Sequence, residues 1–268
     1  MALKKDLNNI LPPDIVNEIP SGFHIIGDIA VISLPPHLHE YRTLVARAIS
    51  SRHHNIRAVV SKNPIPRGEF RLACMELVAG TRTTTVCREY GFSYRLDIAR
   101  SFYSSKLASE RRRVWMQVGK DERVLVPFSG VGPYAIPPAK RSAWVTAIEK
   151  NPDACHFFRE NASRNRVKSH VLLIEGDVEE TIPSLAPGFD RAIIPAPYGC
   201  DHALSLVMPL VRQGGILHFY TFKHATQIPS LKREYTDAGF SIRCIRTCGN
   251  VAPGIRRYVF DLEKKRVG

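Results

Sequence analysis

The sequence predicts an α/β chain of two domains: a small α+β domain over residues 1–100 and a Rossmann-like domain over residues 101–268. Three observations carry this. After residue 104, strand-like runs that are apolar throughout alternate with helical stretches, the pattern of a parallel sheet covered on both faces. The first of those strands runs directly into a glycine-rich turn, SGVGPY. Before residue 100 the runs are short, β-like and separated by turn signals, with one helical pattern among them.

In chain order, FHIIGDIAVISL (23–34) reads as two strands broken at Gly27-Asp28. HEYRTLVARAISSRH (39–53) reads as a helix, because Leu44, Val45, Ala48 and Ile49 share one face. IRAVVS (56–61), TTTVCREY (83–90) and FSYRLDIA (92–99) read as strands, the last two joined at Tyr90-Gly91. The second domain opens with the helix SSKLASERRRVWMQVG. Its strands are RVLVPF, AWVTAIE, HVLLIEGD, RAIIPAP and GILHFYTF, and the pair FSIRCIRTC and RRYVFDLE closes the sheet.

Charge narrows the function class. Lys and Arg total 38 against 25 Asp and Glu, a formal net charge of +13. Excess positive charge concentrates polyanions. The arginines Arg67, Arg71, Arg82, Arg88, Arg95, Arg100, Arg111, Arg112 and Arg113 bias the excess toward a residue whose fork matches phosphate, so a nucleic acid is the expected partner. The six cysteines contain no CxxC pair, which argues against a zinc site and for reduced thiols. No stretch approaches the ~20 apolar residues of a membrane span, and MALKKDLNNILPPD lacks a signal-peptide core. A cytoplasmic protein with no membrane association and no bound metal is expected.

The ligand signal lies at the ends of three successive strands. Gly130 and Gly132 let the backbone turn tightly against a ligand, but Pro133 stands where a dinucleotide fingerprint would continue toward a third glycine. That disfavours a pyrophosphate. Glu149, about twenty residues on, is placed to accept from both hydroxyls of a ribose, and Asp177 is placed for an adenine. Taken singly, each carboxylate reads more readily as a helix cap or loop residue than as a ligand group. Together they point to an adenosine ligand without phosphates, S-adenosylmethionine.

With these residues in view, the chain resembles the archaeal and eukaryotic tRNA guanine-37 N1-methyltransferases and the related wybutosine-synthesis aminocarboxypropyltransferases. The resemblance runs from Ile19 to Glu263 through IPSGFHIIGDIAVISLP, HHNIRAVVSK, RGEFR, YRLDIARSFYSSKLASERRR, FSGVGPY, AIEKNPDA, ENASRN, EGD, QGGILHFYTF and APGIRRYVFDL. It implies a Rossmann-like class I methyltransferase domain that binds S-adenosylmethionine and a small N-terminal domain that docks the tRNA anticodon loop; a monomer is expected. Matched residue by residue, it implies Glu110 as the base that takes the guanine N1 proton, with Arg111 beside it tuning its charge. It implies Arg71 as a cation that offsets charge on the base, and Tyr103 as an aromatic near the reacting groups. The cofactor would be held by Arg111, Phe128, Gly130, Gly132, Pro133, Glu149, Asn151, Asp177 and Pro197. Without the resemblance, Glu110 and its neighbouring arginines read as a solvated helix face.

Two departures from the family pattern stand out. Val126 replaces a usual aspartate, and Pro195-Ala196-Pro197 replaces a usual Asn-Leu-Pro, which removes a side-chain amide. The aminocarboxypropyl relatives also lack that Asn-Leu-Pro, so aminocarboxypropyl transfer stays open beside methyl transfer, as does a tRNA-binding paralogue without turnover. The extra N-terminal recognition domain of many archaeal relatives is expected to be missing, and tRNA recognition is expected to be less exacting.

Overall fold

A computed structural model describes residues 2–8, 10–67 and 72–265. The chain divides into two compact units, Met1–Tyr103 and Ser104–Gly268.

In the first unit, two short helices, α1 (Ala2–Leu7) and α2 (Pro13–Glu18), precede the strands, and Pro13 sits at the start of α2 where its missing N–H costs nothing. Strands β1 (His24–Ile26) and β2 (Ile29–Ile32) form the hairpin turned at Gly27-Asp28, and helix α3 (Arg42–Arg52) follows. Strands β3 (Ala58–Arg67) and β4 (Leu72–Ala79) complete a four-stranded sheet in the order β1-β2-β3-β4, in which β2 and β3 run parallel. Val45, Ala46, Ala48 and Ile49 of α3 bury themselves with Ala30, Ile32 and Val59 of that sheet and with Leu7 and Ile19. A separate hairpin, β5 (Thr84–Glu89) with β6 (Phe92–Asp97), turns through Tyr90 and Gly91, both at positive φ. Thr85 ties it to the first hairpin, its hydroxyl donating to Asp28 Oδ1 at 2.7 Å. A Cβ on Gly27 would lie 2.0 Å from Thr85 Oγ1, so only glycine fits there.

The second unit opens with α4 (Ala108–Trp115) and then alternates: β7 (Arg123–Val126), α5 (Ile136–Lys140), β8 (Trp144–Glu149), α6 (Pro152–Arg164), β9 (Val171–Glu175), α7 (Val178–Thr181), β10 (Phe189–Ile194), α8 (Ala203–Val207), β11 (Val211–His224), α9 (Ile228–Asp237), β12 (Phe240–Ala252) and β13 (Ile255–Lys264). The seven strands order as β12-β13-β11-β10-β7-β8-β9. Strands β7 to β11 are parallel, and β13 inserts antiparallel between β11 and β12. This is the Rossmann-like sheet the apolar runs predict. Its winding reverses between β7 and β10, which opens a crevice at their carboxyl ends, the place where such sheets bind ligands.

Four elements escape the sequence reading. Helices α1 and α2 are only six residues each. Strand β4 is a sheet edge whose Cys74, Glu76 and Leu77 are exposed, so it lacks a clean alternation. Helix α9 covers the sheet through Ile228, Leu231 and Tyr235, a helical spacing that was there to be read.

Candidate functional site

At the end of β7 the backbone leaves the sheet abruptly. Phe128 sits at φ 54°, Gly130 at 55° and Gly132 at 97°, so three left-handed residues in five curl the loop. A Cβ on Gly132 would come within 2.8 Å of Ile136 and 3.1 Å of Phe158, so glycine is also what lets α5 and α6 pack beneath it. Pro133 is fully enclosed with Val131 and Tyr134. The loop is held from below by Glu149, the last residue of β8. Its Oε2 accepts from Gly130 N at 2.7 Å and its Oε1 from Asn151 N at 2.9 Å. Burial pushes the Glu149 carboxyl above its ordinary range, against the pull of these backbone bonds. Each oxygen keeps a lone pair for a further donor.

Asn151 caps α6 by accepting from Asp153 N at 3.0 Å, and Asp177 caps α7 by accepting from Glu179 N at 2.8 Å. The cap bond from Glu179, and then Lys150 Nζ at 3.1 Å, hold the Asp177 carboxyl below the usual range. The capping role weighed from the sequence is thus realised for Asp177, beside any ligand role. Pro197 lies in the half-buried loop after β10, across the reversal from the glycine turn.

The loop also fits a nucleoside ligand on its own terms. Ser129 Oγ, in a side chain only 2% exposed, finds no hydrogen-bond partner. A buried hydroxyl left without a partner costs about 1–3 kcal/mol, which a polar ligand in the loop would recover. A cradle of positive-φ backbone, an orphan hydroxyl and an acidic residue at the next strand end form the donor and acceptor set an adenosine needs.

The second part of the site lies on one face of the β11–β13 pair. Register places His218 opposite Asp261, Tyr220 opposite Val259 and Phe222 opposite Arg257. Alternation puts all six on the same face. Here Glu110 of α4 is buried, 7% exposed, with both oxygens committed. Arg113 donates to it through Nε at 2.9 Å and a terminal nitrogen at 2.8 Å, and Tyr220 Oη donates at 3.0 Å. The same Arg113 grips Asp261 at 2.5 and 3.0 Å. Asp261 in turn accepts from His218 Nδ1 at 2.6 Å, and Arg191 reaches His218 Nε2 at 2.8 Å. Because a guanidinium can only donate, Nε2 must accept, and His218 is the neutral tautomer with its proton on Nδ1. Burial favours that state too, holding the imidazole below its ordinary pKa. Burial alone would raise the carboxyl of Asp261, but hydrogen bonds from His218 and Arg113 overcome it and hold the group at about 2.

Two expectations change here. Glu110 is no solvated helix residue, and its charge partner is Arg113, one helical turn on, not Arg111. Arg111 turns the other way, 2% exposed, donating to Ser104 O at 3.0 Å and standing 5.9 Å from the centre of the Tyr134 ring. Adjacent helical positions diverge by about 100°, so Arg111 and Glu110 do not face each other. Tyr103 belongs to the first unit, where its hydroxyl donates to Glu89 at 2.7 Å. Arg71 lies outside the described residues. The buried partners Arg113, Tyr220, His218, Asp261 and Arg191 went unnoticed as site residues. Charged and polar letters inside otherwise apolar strands (His218 in GILHFYTF, Asp261 in YVFDL) were the available signal. Val126, the first departure, is fully buried in β7.

Against known proteins, residues 85–237 match the TRM5/TYW2 methyltransferase domain and residues 3–83 match the TYW2 N-terminal domain. The chain is 35% identical over 213 residues to the tRNA (guanine(37)-N(1))-methyltransferase Trm5b of Pyrococcus abyssi, covering 79% of this chain and 63% of that relative. A crystal structure of Trm5b from Pyrococcus abyssi superposes with a TM-score of 0.85 at 30% identity, over 96% of this chain and 79% of that one. The tRNA 4-demethylwyosine(37)-methyltransferase Taw21 of Saccharolobus solfataricus is 35% identical over 208 residues, covering 76% of this chain and 79% of Taw21. The structure of P. horikoshii TYW2 in complex with MeSAdo superposes with a TM-score of 0.78 at 25% identity, over 97% of each chain.

Proposed function

Since the chain belongs to the TRM5/TYW2 methyltransferase family, we propose that it is an S-adenosylmethionine-dependent tRNA methyltransferase acting on N1 of guanosine 37 in the anticodon loop. The observation that carries this reading is the Glu110 carboxylate, buried and fixed by Arg113 and Tyr220 in the same unit as the loop at Gly130–Pro133 and the Glu149 acceptor. An enclosed carboxylate of fixed direction is what proton abstraction from a base nitrogen requires. The P. horikoshii TYW2 structure holds MeSAdo, and the orphan Ser129 hydroxyl and Glu149 suit the same nucleoside.

In this reading the first unit docks the tRNA and exposes the base, which an anticodon loop allows at less cost than a duplex. Phe128, Gly130, Gly132, Pro133, Glu149, Asn151, Asp177 and Pro197 enclose the cofactor, with Arg111 at the margin. S-adenosylmethionine supplies an electrophilic methyl group on its sulfonium. Glu110 takes the N1 proton, the freed N1 pair forms the new N–CH3 bond, and the C–S pair returns to sulfur. Arg71 offsets negative charge on the purine, and Tyr103 supports the base. The protein works as a monomer in the cytoplasm, without a metal.

Two findings favour a second reading within the family. The N-terminal match is to TYW2, and Taw21 is spanned over 79% of its length where the Pyrococcus abyssi relative is spanned over 63%. The target would then be a tricyclic wyosine precursor at the same position, taking methyl or aminocarboxypropyl. One assay separates these readings. The protein is incubated with tRNA carrying G37 or the tricyclic precursor, and with S-adenosylmethionine labelled on its methyl or its aminocarboxypropyl carbon. The nucleosides are then identified by mass. N1-methylguanosine is the expected product; label recovered only in the tricycle moves the protein to the second reading. Absence of both labels overturns transfer altogether.

A further inference from the structure

Arg257 is a cation without an anion. Among the described residues it makes no ion pair, and its Nε is buried with no hydrogen-bond acceptor. Its guanidinium lies 4.7 Å from the centre of the Phe222 ring, its cross-strand partner on β11. On its other flank β12 offers Gly249, where a side chain would meet only open space.

Its surroundings deepen the deficit. Burial and the like charge of Arg111 disfavour the protonated guanidinium, and the groups that favour it are hydroxyls and a thiol: Tyr134, Tyr220 and Cys248. The carboxylates that share this face of the sheet, Glu110 and Asp261, are both committed to Arg113. Arg257 is half-buried, with only its Nε enclosed, so its terminal nitrogens remain open to an incoming acceptor while, among the described residues, no carboxylate on this face is left to pair with it.

The position fits a reactant. Phe222 follows two residues after Tyr220, whose hydroxyl donates to Glu110, so Arg257 stands one rung along from the carboxylate on the same face. Tyr198, 57% exposed in the loop after β10, packs on Phe222 with ring centres 5.6 Å apart. An exposed ring, a second ring and a guanidinium form the platform on which unstacked bases and planar anions are held.

We propose that Arg257 is a substrate-binding residue of this site, receiving a planar oxyanion of a bound reactant. Two reactants carry such a group: the carboxylate on the amino-acid tail of S-adenosylmethionine, and the purine oxygen that becomes anionic as N1 loses its proton. The proposal rests on the transfer reading for the identity of these reactants.

The test compares the full-length protein with Arg257→Gln, Arg257→Lys and, as a neighbouring control, Arg256→Gln. Calorimetry gives the affinity of each for S-adenosylmethionine and for 5′-methylthioadenosine, which lacks the amino-acid tail. Turnover on tRNA gives kcat/KM. If the anion is the carboxylate, Arg257→Gln weakens S-adenosylmethionine by about ten- to a hundredfold and leaves methylthioadenosine within twofold, the scale of one charge-assisted hydrogen bond. If it is the purine oxygen, both affinities hold and kcat/KM for tRNA falls by a similar factor. In either case Arg257→Lys recovers part of the loss and Arg256→Gln changes nothing. Equal weakening of both ligands with a lowered Tm, or no change anywhere, overturns the proposal. A wild type without turnover would sink the transfer reading, and the two affinities would still decide whether Arg257 holds the carboxylate.

Discussion

The two faces of the β11–β13 pair are both largely buried and chemically opposite. One face carries Leu217 and Phe219 of β11 with Phe260 and Leu262 of β13, all fully buried and closed over by Tyr235 of α9. The other carries His218, Tyr220, Asp261 and Arg257 and receives Glu110 and Arg113 from α4. Successive residues of one strand therefore serve two ends. The apolar face gives stability through area removed from water. The polar face is held by directional, charge-assisted bonds whose partners must all be present. A truncation is felt as lost packing on one face and as a stranded charge on the other.

The largest effect that would break this contrast is expected at Glu110. Glu110→Gln keeps the shape and the Tyr220 contact but removes the proton acceptor. Single-turnover transfer should fall by about 10²–10⁴-fold, while S-adenosylmethionine affinity stays within twofold. Unchanged turnover would remove Glu110 from the mechanism and leave it a structural anion.

Next comes Arg113→Met, which strands Glu110 and Asp261 as buried carboxylates and should cost about 3–5 kcal/mol of unfolding free energy. Phe219→Ala on the opposite face should cost a similar ~3–5 kcal/mol through its cavity. Denaturation in urea at two pH values tells them apart. The Phe219 loss should hardly vary with pH, whereas the Arg113 loss should shrink in acid as the stranded carboxyls protonate. Equal pH dependence would mean that the polar face behaves as packing alone.

How much of this was legible follows from the same contrast. The sheet, the loop at Gly130 and Gly132, and the acidic Glu149 could be read because each rests on local pattern. Apolar runs, turn glycines and a twenty-residue spacing carry the information within a few neighbours. The Glu149 bonds to Gly130 and Asn151 belong to that local class. The polar ladder does not. Arg113 meets Asp261 across 148 positions, Tyr220 meets Glu110 across 110, and His218 meets Asp261 across 43. In the sequence the Glu110 helix looks like a solvated basic face; its pairing with Arg113 is local, three residues apart, but the burial of that pair emerges only once Tyr220 of β11 and Asp261 of β13 meet it.

The third effect separates the carboxylates by their response to acid. Asp261 has a folded pKa of about 2 against an ordinary 3.8. Its stabilisation is therefore present above pH 4 and lost as pH falls toward 2, on the order of 2 kcal/mol. Glu149 has the opposite sign, because its folded pKa is raised. Its favourable contribution is full below about pH 4.5 and lost as pH rises through the folded value. Subtracting the stability curve of Glu149→Gln from that of the wild type should leave a difference that favours the wild type increasingly as pH drops toward 4.5. The same subtraction with Asp261→Asn should favour the wild type decreasingly below pH 4. Two differences of the same sign would show that both groups are held in one way.

The smallest effect bears on Asp177, whose oxygens are already used by Glu179 N and Lys150. If the residue is a cap alone, Asp177→Ala should lower stability by about 1 kcal/mol and leave adenosine affinity unchanged. If its remaining acceptor capacity reaches an adenine amine, affinity should drop several-fold on top of that loss. Asp177→Asn sharpens the distinction, since asparagine caps a helix nearly as well yet ends the ion pair with Lys150. Stability kept with affinity lost would place Asp177 with Glu149 as a ligand acceptor on the locally built side of the site. Both kept would leave the adenine to the glycine loop and Glu149, and make Asp177 a residue that serves the fold by the same short-range logic that made it visible in the sequence.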